Sequence, residues 1–127
     1  MISDDLKYKL KRKIYKGIST PEHWLIGGTS EPNDIAKANA LRYCIELYHR
    51  LGYPDCIAST VESGLYVRYS ICIYSIILEC YNSGEVAFLI NDNLNKYIIV
   101  SIDCISPFYP IHELSSLQIS RKDLQNV

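Results

Sequence analysis

The sequence predicts an α+β domain in which two N-terminal helices pack on an antiparallel meander of about five strands. Three observations carry that expectation. Two segments before residue 52 have helical caps and helical apolar spacing, the composition turns β-branched and aromatic after Pro54, and the links between the later segments are as short as hairpins require. At 127 residues the chain is one domain long, enough to remove roughly two-thirds of its unfolded surface from water. Hydrophobic residues make up 48% and charged residues 21%, a globular balance rather than the signature of disorder.

Residues 1–16 read as a basic helix. Ser3 is its cap, Asp4 and Asp5 lie in its first turn, and Lys11, Arg12, Lys13 and Lys16 come late, with Gly17 just beyond as the expected C′ residue. Leu6, Leu10 and Ile14 recur every four residues, a narrow apolar stripe suited to lying on a core built elsewhere. Residues 18–32 hold two prolines and two glycines and read as a connector, with Trp24 as its expected anchor.

A core helix is expected over 33–51. Asn33 caps it, His49 and Arg50 sit in its last turn, and Gly52 follows; Ile35, Ala38, Leu41, Ile45 and Tyr48 supply the expected buried stripe. Sheet is expected over 57–104, with strands at about 57–62, 65–71, 74–81, 85–91 and 96–104. Asn82-Ser83-Gly84 matches a type I turn closed by a left-handed residue. The junction at Ser70–Ser75 has no Gly, Pro, Asn or Asp, so residues 65–81 read either as two strands or as one bent strand. Residues 105–127 read as an irregular tail with a short helix near His112–Ser116 and fraying from Arg121 onward.

The N-terminus has no apolar run of secretory type, and the most apolar stretch, Leu65–Tyr81, contains Arg68 and Glu79 where a span needs about 20 apolar residues. A cytoplasmic protein without membrane partners is therefore expected. The five cysteines, Cys44, Cys56, Cys72, Cys80 and Cys104, are dispersed and odd in number, with no CxxC and no Cys/His pair at metal-ligand spacing. Buried reduced thiols acting as small hydrophobes are expected, with no metal and no cofactor.

Residues 1–16 carry six basic and two acidic side chains, net +4, leaving seven basic and twelve acidic in the rest, net −5. Lys9, Arg12 and Lys13, with Lys7, Lys11 and Lys16, are candidate contacts to an acidic partner or to phosphates; the overall charge of −1 favours a protein partner or self-association over nucleic acid. The alternative is a solvated helix face. Eleven Tyr stand against two Phe and one Trp. Tyr buries a ring while keeping a hydroxyl at the wet edge, so Tyr66, Tyr69 and Tyr74 are the candidate partner contacts on the sheet, weighed against ordinary half-buried strand residues.

His23, His49 and His112 fall in a connector, at a helix end and near the C-terminus, and no nucleophile motif accompanies them. Gly27-Gly28-Thr29 precedes a helix but lacks a Walker Lys, and Glu31 and Asp34 would repel phosphate. Glu62, Glu79, Glu85, Asp92 and Asp103 are spread over strand ends and turns, so no catalytic residue is assigned and an enzyme is the less favoured class.

The segments HWLIGG, EPNDIAKANALRYCIELYHRLG, ESGLYVRYS and YSIILECYNSGEVAFLI resemble, over about residues 21–91, a group of small uncharacterised bacterial proteins. In that group a Trp/Gly-rich segment precedes a capped helix and two hairpins. This chain differs in having Trp24-Leu25-Ile26-Gly27-Gly28 where the group has a Trp-Asp-Gly-Tyr-Gly-like run, and Tyr69 where it has a second Trp. The resemblance implies an α+β fold and, from mobile and defence-related loci, an antitoxin-, immunity- or inhibitor-like role. The competing expectation is a small nuclease-like enzyme or nucleic-acid-binding module that uses the basic first helix.

Overall fold

The computed structural model describes residues 2–121. It is an α+β domain with four helices and one five-stranded antiparallel sheet in the order β1-β2-β3-β4-β5, an unbroken meander. Helix α1 spans Asp4–Lys16, α2 Glu22–Ile26, α3 Asp34–Leu51 and α4 Phe108–Ser116. The strands are β1 Cys56–Thr60, β2 Gly64–Ile71, β3 Tyr74–Tyr81, β4 Val86–Asp92 and β5 Tyr97–Cys104.

Helix α1 forms as its caps dictate: the Ser3 hydroxyl accepts from the Leu6 amide at 3.3 Å, and Asp4 and Asp5 face the positive end of the dipole. Gly17 ends it at φ −98°, so the expected left-handed closure is absent. Leu10 and Ile14 are fully buried, about 1.5–3 kcal/mol each, and α1 lies against α3.

Helix α3 is capped by Asn33, whose side chain accepts from the Ala36 amide at 2.9 Å. Its core face differs from the expected one. Ala36, Ala40, Tyr43, Cys44, Leu47 and Leu51 are buried, whereas Ile35 is 53% exposed and Ala38 is exposed. Leu41, Ile45 and Tyr48 are half-buried beside the core. The helix touches both the sheet and α1, so it buries two adjoining stripes, small Ala36 and Ala40 among them.

The junction at Ser70–Ser75 resolves into two strands. Ile71 pairs with Tyr74, leaving Cys72-Ile73 as a two-residue reversal with Cys72 at φ 53°. The Asn82-Ser83-Gly84 loop closes as expected, with the Gly84 amide on the Tyr81 carbonyl at 2.9 Å and Gly84 at φ 99°. Between β1 and β2 the left-handed residue is Ser63, at φ 68°. Gly64 serves a different need: a Cβ there would overlap the Cys80 carbonyl and come within 2.8 Å of the Tyr81 Cα. In the β4–β5 turn, Asp92 Oδ1 accepts from the Leu94 amide at 3.0 Å and the Asn95 amide at 2.9 Å, and bonds from Asn95 hold its carboxyl below the usual range. A bulge between Ile90 and Asn91 of β4 and their partners puts one extra residue, Ile99, in edge strand β5.

The connector contains α2, which the sequence did not lead us to expect. Trp24 is half-buried, edge-on to His23, and outside the core cluster. Hydrogen bonds anchor the segment instead. Thr20 Oγ1 meets Ser59 Oγ at 3.0 Å, Thr29 Oγ1 donates to the Val61 carbonyl at 2.7 Å, and the Ser30 amide donates to Ser63 Oγ at 2.8 Å. The connector is therefore held to β1 at Ser59 and to the turn after it at Val61 and Ser63.

The tail is more ordered than expected. Helix α4 starts four residues before His112, with Pro110 tolerated in its first turn, and buries Leu114 and, after it, Ile119. Arg121 is fixed rather than frayed: its amide donates to the Arg50 carbonyl at 2.7 Å, its Nε to the Leu51 carbonyl, and its Nη2 to Asp55 Oδ2 at 2.7 Å. The rest of the expected fraying lies outside the described residues. No helix among the described residues is long and apolar enough to cross a membrane.

Candidate functional site

Two surfaces stand out, one on the sheet face away from α3 and one on α1. The first is the outer face of the sheet. In an antiparallel sheet, residues opposite one another share a face, so the register sorts the side chains. Leu65, Val67, Tyr69, Ile76, Leu78, Cys80, Val86, Phe88 and Ile90 point toward the helices and are buried. The other face carries two cross-strand rows, Cys56-Arg68-Ile77-Leu89-Ser101 and Ala58-Tyr66-Glu79-Ala87-Asp103. Tyr81 stands beside Gly64 in the next row. Helix α3 packs on β2 and β3, α1 on α3, and α4 on β5, and most side chains of these rows remain half-exposed.

The face is apolar at Ile77 and Leu89 and acidic at one end. Tyr81 Oη donates to Glu79 Oε2 at 2.8 Å, and Glu62 accepts from Thr60 Oγ1 at 2.8 Å. Burial, the bond to Glu79 and the nearby charges of Glu62 and Asp103 all push the Tyr81 hydroxyl up, so it remains a neutral donor. Tyr66 is raised by burial against the lowering influence of Arg68.

The three candidate tyrosines do not share this surface. Tyr66 lies on it. Tyr69 is fully buried under α3, its hydroxyl beside the Cys44 thiol, and is not available to a partner. Tyr74 packs half-buried against the core on the helix side. Strand parity already separates Tyr66 from Tyr69, three residues apart in one strand; placing Tyr74 required the two-residue turn at Cys72. Sequence reasoning missed Ile77 and Leu89, because a β-branched and aliphatic strand does not reveal which face stays open.

The second surface is a groove of about 440 Å³ on α1, lined by Lys9, Arg12, Lys13, Lys16, Gly17 and Tyr53. It unites the three candidate cations. Tyr53, from the loop after α3, is 36% exposed and had not been singled out. The ion pair among the described residues is Asp55–Arg121, so none of the α1 cations is in a salt bridge with a described residue. Lys37 of α3 reaches over the Tyr15 ring at 5.7 Å, tying α3 to the far side of α1.

The histidines stay on separate elements, His23 in α2, His49 at the end of α3, and His112 in α4, stacked on Phe108 at 6.0 Å. Cys44, Cys80 and Cys104 are buried, Cys56 is half-buried and Cys72 exposed, so the buried-thiol expectation holds for three of the five. Burial lifts the Cys44 thiol to about 12 and the Cys104 thiol to about 11. Among the described residues no cluster of three or more His, Cys, Asp or Glu is placed to hold a metal ion. Comparison with protein family models, with characterised proteins and with solved structures gives no match.

Proposed function

We propose that the chain is a protein-interaction module that receives a protein partner on the outer face of its sheet. One observation carries this reading: the rows through Ile77-Leu89 and Tyr66-Glu79 lie on the side away from α3, half-exposed, with aliphatic side chains at the centre and Arg68, Glu79 and Asp103 around them. An apolar centre within a polar rim is the composition of protein interfaces, and Tyr contributes contact area at low entropic cost. The bulge at Ile99 interrupts the regular edge of β5, which favours the face over strand addition. An antitoxin-, immunity- or inhibitor-like role, implied by the resemblance noted above, fits a surface that binds without chemistry.

The test compares affinity capture from the source cells, and the sedimentation of the pure protein, for the parent, Ile77→Arg and Leu89→Arg. The expected result is one partner, or a second copy of the chain, held by the parent and lost from both variants while their circular dichroism is unchanged. A pure protein that stays monomeric, with the same captured set for all three forms, would overturn the reading.

A further inference from the structure

The α1 groove does not rest on the sheet-face reading and has a different chemistry. Lys9, Arg12, Lys13 and Lys16 stand at i, i+3, i+4 and i+7, which places them on one stripe of the helix over about 10.5 Å. Leu10 and Ile14 turn the helix so that this stripe faces out, and all four cations are exposed. The groove contains no aliphatic residue. Its single ring is Tyr53, lying in the same groove as the cations.

A protein interface needs an apolar centre, with charges at the rim; here four of the six lining residues are cations. A nucleic-acid interface has the opposite composition, cations for phosphates and aromatic rings for bases. Four cations on one stripe can neutralise about three or four phosphates of a flexible strand. The nearby Tyr53 ring offers a stacking surface that a base can reach only when unpaired. Glu62, Glu79 and Asp103 surround Tyr81 at the acidic end of the sheet face, on the side away from α3, whereas α1 packs against α3, so a polyanion meets the α1 cations away from that acidic end. We infer that the α1 groove binds single-stranded nucleic acid, its backbone along Lys9, Arg12, Lys13 and Lys16 and a base against Tyr53.

The experiment measures fluorescence anisotropy of labelled 20-nucleotide oligo(dT), oligo(rU) and a mixed-sequence DNA duplex with the intact protein. For the single strands, affinity should fall about 15- to 60-fold between 50 and 200 mM salt, the slope of three or four neutralised phosphates. Arg12→Gln/Lys13→Gln should reduce that slope by about 1.4, two phosphates' worth on a single strand, and Tyr53→Ala should weaken binding about fivefold or more. Lys96→Gln, a cation on the β4–β5 turn, should change neither, which separates a local contact from overall charge. Melting curves check that the variants remain folded; these side chains are exposed or partly exposed, so folding should persist. Failure to bind at 50 mM salt would overturn the inference. So would duplex preferred over single strands with Tyr53→Ala silent, or displacement by poly-glutamate as effective as by oligonucleotide, which would make the groove a site for an acidic protein.

Discussion

Asn33 and Asn82 are joined twice: the Asn33 amide donates to Asn82 Oδ1 at 2.9 Å, and Asn33 Nδ2 donates to the Asn82 carbonyl at 3.1 Å. One is the cap of α3 and the other sits in the β3–β4 turn, so the pair fixes the start of the core helix over the end of the sheet. Asn82 Nδ2 also donates to the Glu31 carbonyl at 2.9 Å, and the Asn82 amide donates to the Ser63 carbonyl at 2.9 Å. Three connecting segments meet at this one side chain and its backbone. Asn82→Ala and Asn33→Ala should each cost about 1–2 kcal/mol, and the double variant should cost at least ~0.5 kcal/mol less than the sum. Urea denaturation of the four proteins measures the coupling; strict additivity would mean that the contact contributes nothing.

Tyr69 is the reverse case. Its ring fills the core, but its hydroxyl finds no oxygen or nitrogen partner among the described residues and has only the Cys44 thiol, a weak hydrogen-bonding group, beside it. A thiol compensates poorly for lost water, so removing this buried hydroxyl takes away a desolvation cost, and Tyr69→Phe should leave stability unchanged or raise it by up to about 1 kcal/mol. Leu47→Ala, equally buried, should cost about 2–5 kcal/mol. Thermal melts of both variants give the comparison, and a destabilised Tyr69→Phe would show that the hydroxyl is bonded in solution.

Two turn positions test backbone geometry in opposite directions. Cys72 adopts φ 53°, which a side chain with a Cβ enters at a cost of roughly 1–2 kcal/mol and Asn enters more readily. Cys72→Asn should therefore stabilise by about 0.5–1 kcal/mol. Gly64→Ala should destabilise by about 1–3 kcal/mol, because its Cβ meets the backbone of Cys80 and Tyr81, which cannot move without parting β2 from β3. Chemical denaturation of the two variants should move the midpoint in opposite directions.

Asp55 links Arg121 to the sheet. Burial pushes its carboxyl up, but the Ser70 amide at 2.7 Å and the Arg121 guanidinium outweigh that and hold it below the usual range. A depressed carboxylate adds stability that is complete above the unfolded value of about 3.9 and is lost as pH falls through the lower folded value. The pair is partly exposed, so screening limits its contribution to about 1 kcal/mol. Asp55→Asn should be less stable than the parent at pH 7 by about that amount, and the difference should shrink once the pH falls below the unfolded value and through the lower folded one. Melts taken from pH 2 to 7 follow it.

The strand boundaries were legible because turn chemistry and β-branched runs act locally: Asn82-Ser83-Gly84 and the capped start at Asn33 can be read from neighbouring residues. The reversal at Cys72 could not, since a left-handed cysteine has no propensity to announce it and is held there by the pairing of β2 with β3. Helix α4 was half-legible, because Pro107 and Pro110 suggest irregularity until one sees that both stand at a helix start, where no amide is needed. The basic groove was legible as far as its cations. Tyr53 was not, because it reaches the groove only when the loop after α3 meets the end of α1.

By itself the sequence determined the α+β class, the helix caps, an antiparallel sheet of about five strands with the 65–81 junction open, and the polarised charge of the first helix, all properties set by residues within a turn or two of each other. Only the tertiary structure decided which stripe of α3 is buried, which tyrosines face out, and that one face of the sheet stays open. These depend on how distant elements share a fixed amount of apolar surface. Ile35 is exposed while Ala36 is buried because α3 must approach the sheet and α1 together, and a helix can present only one arc to both.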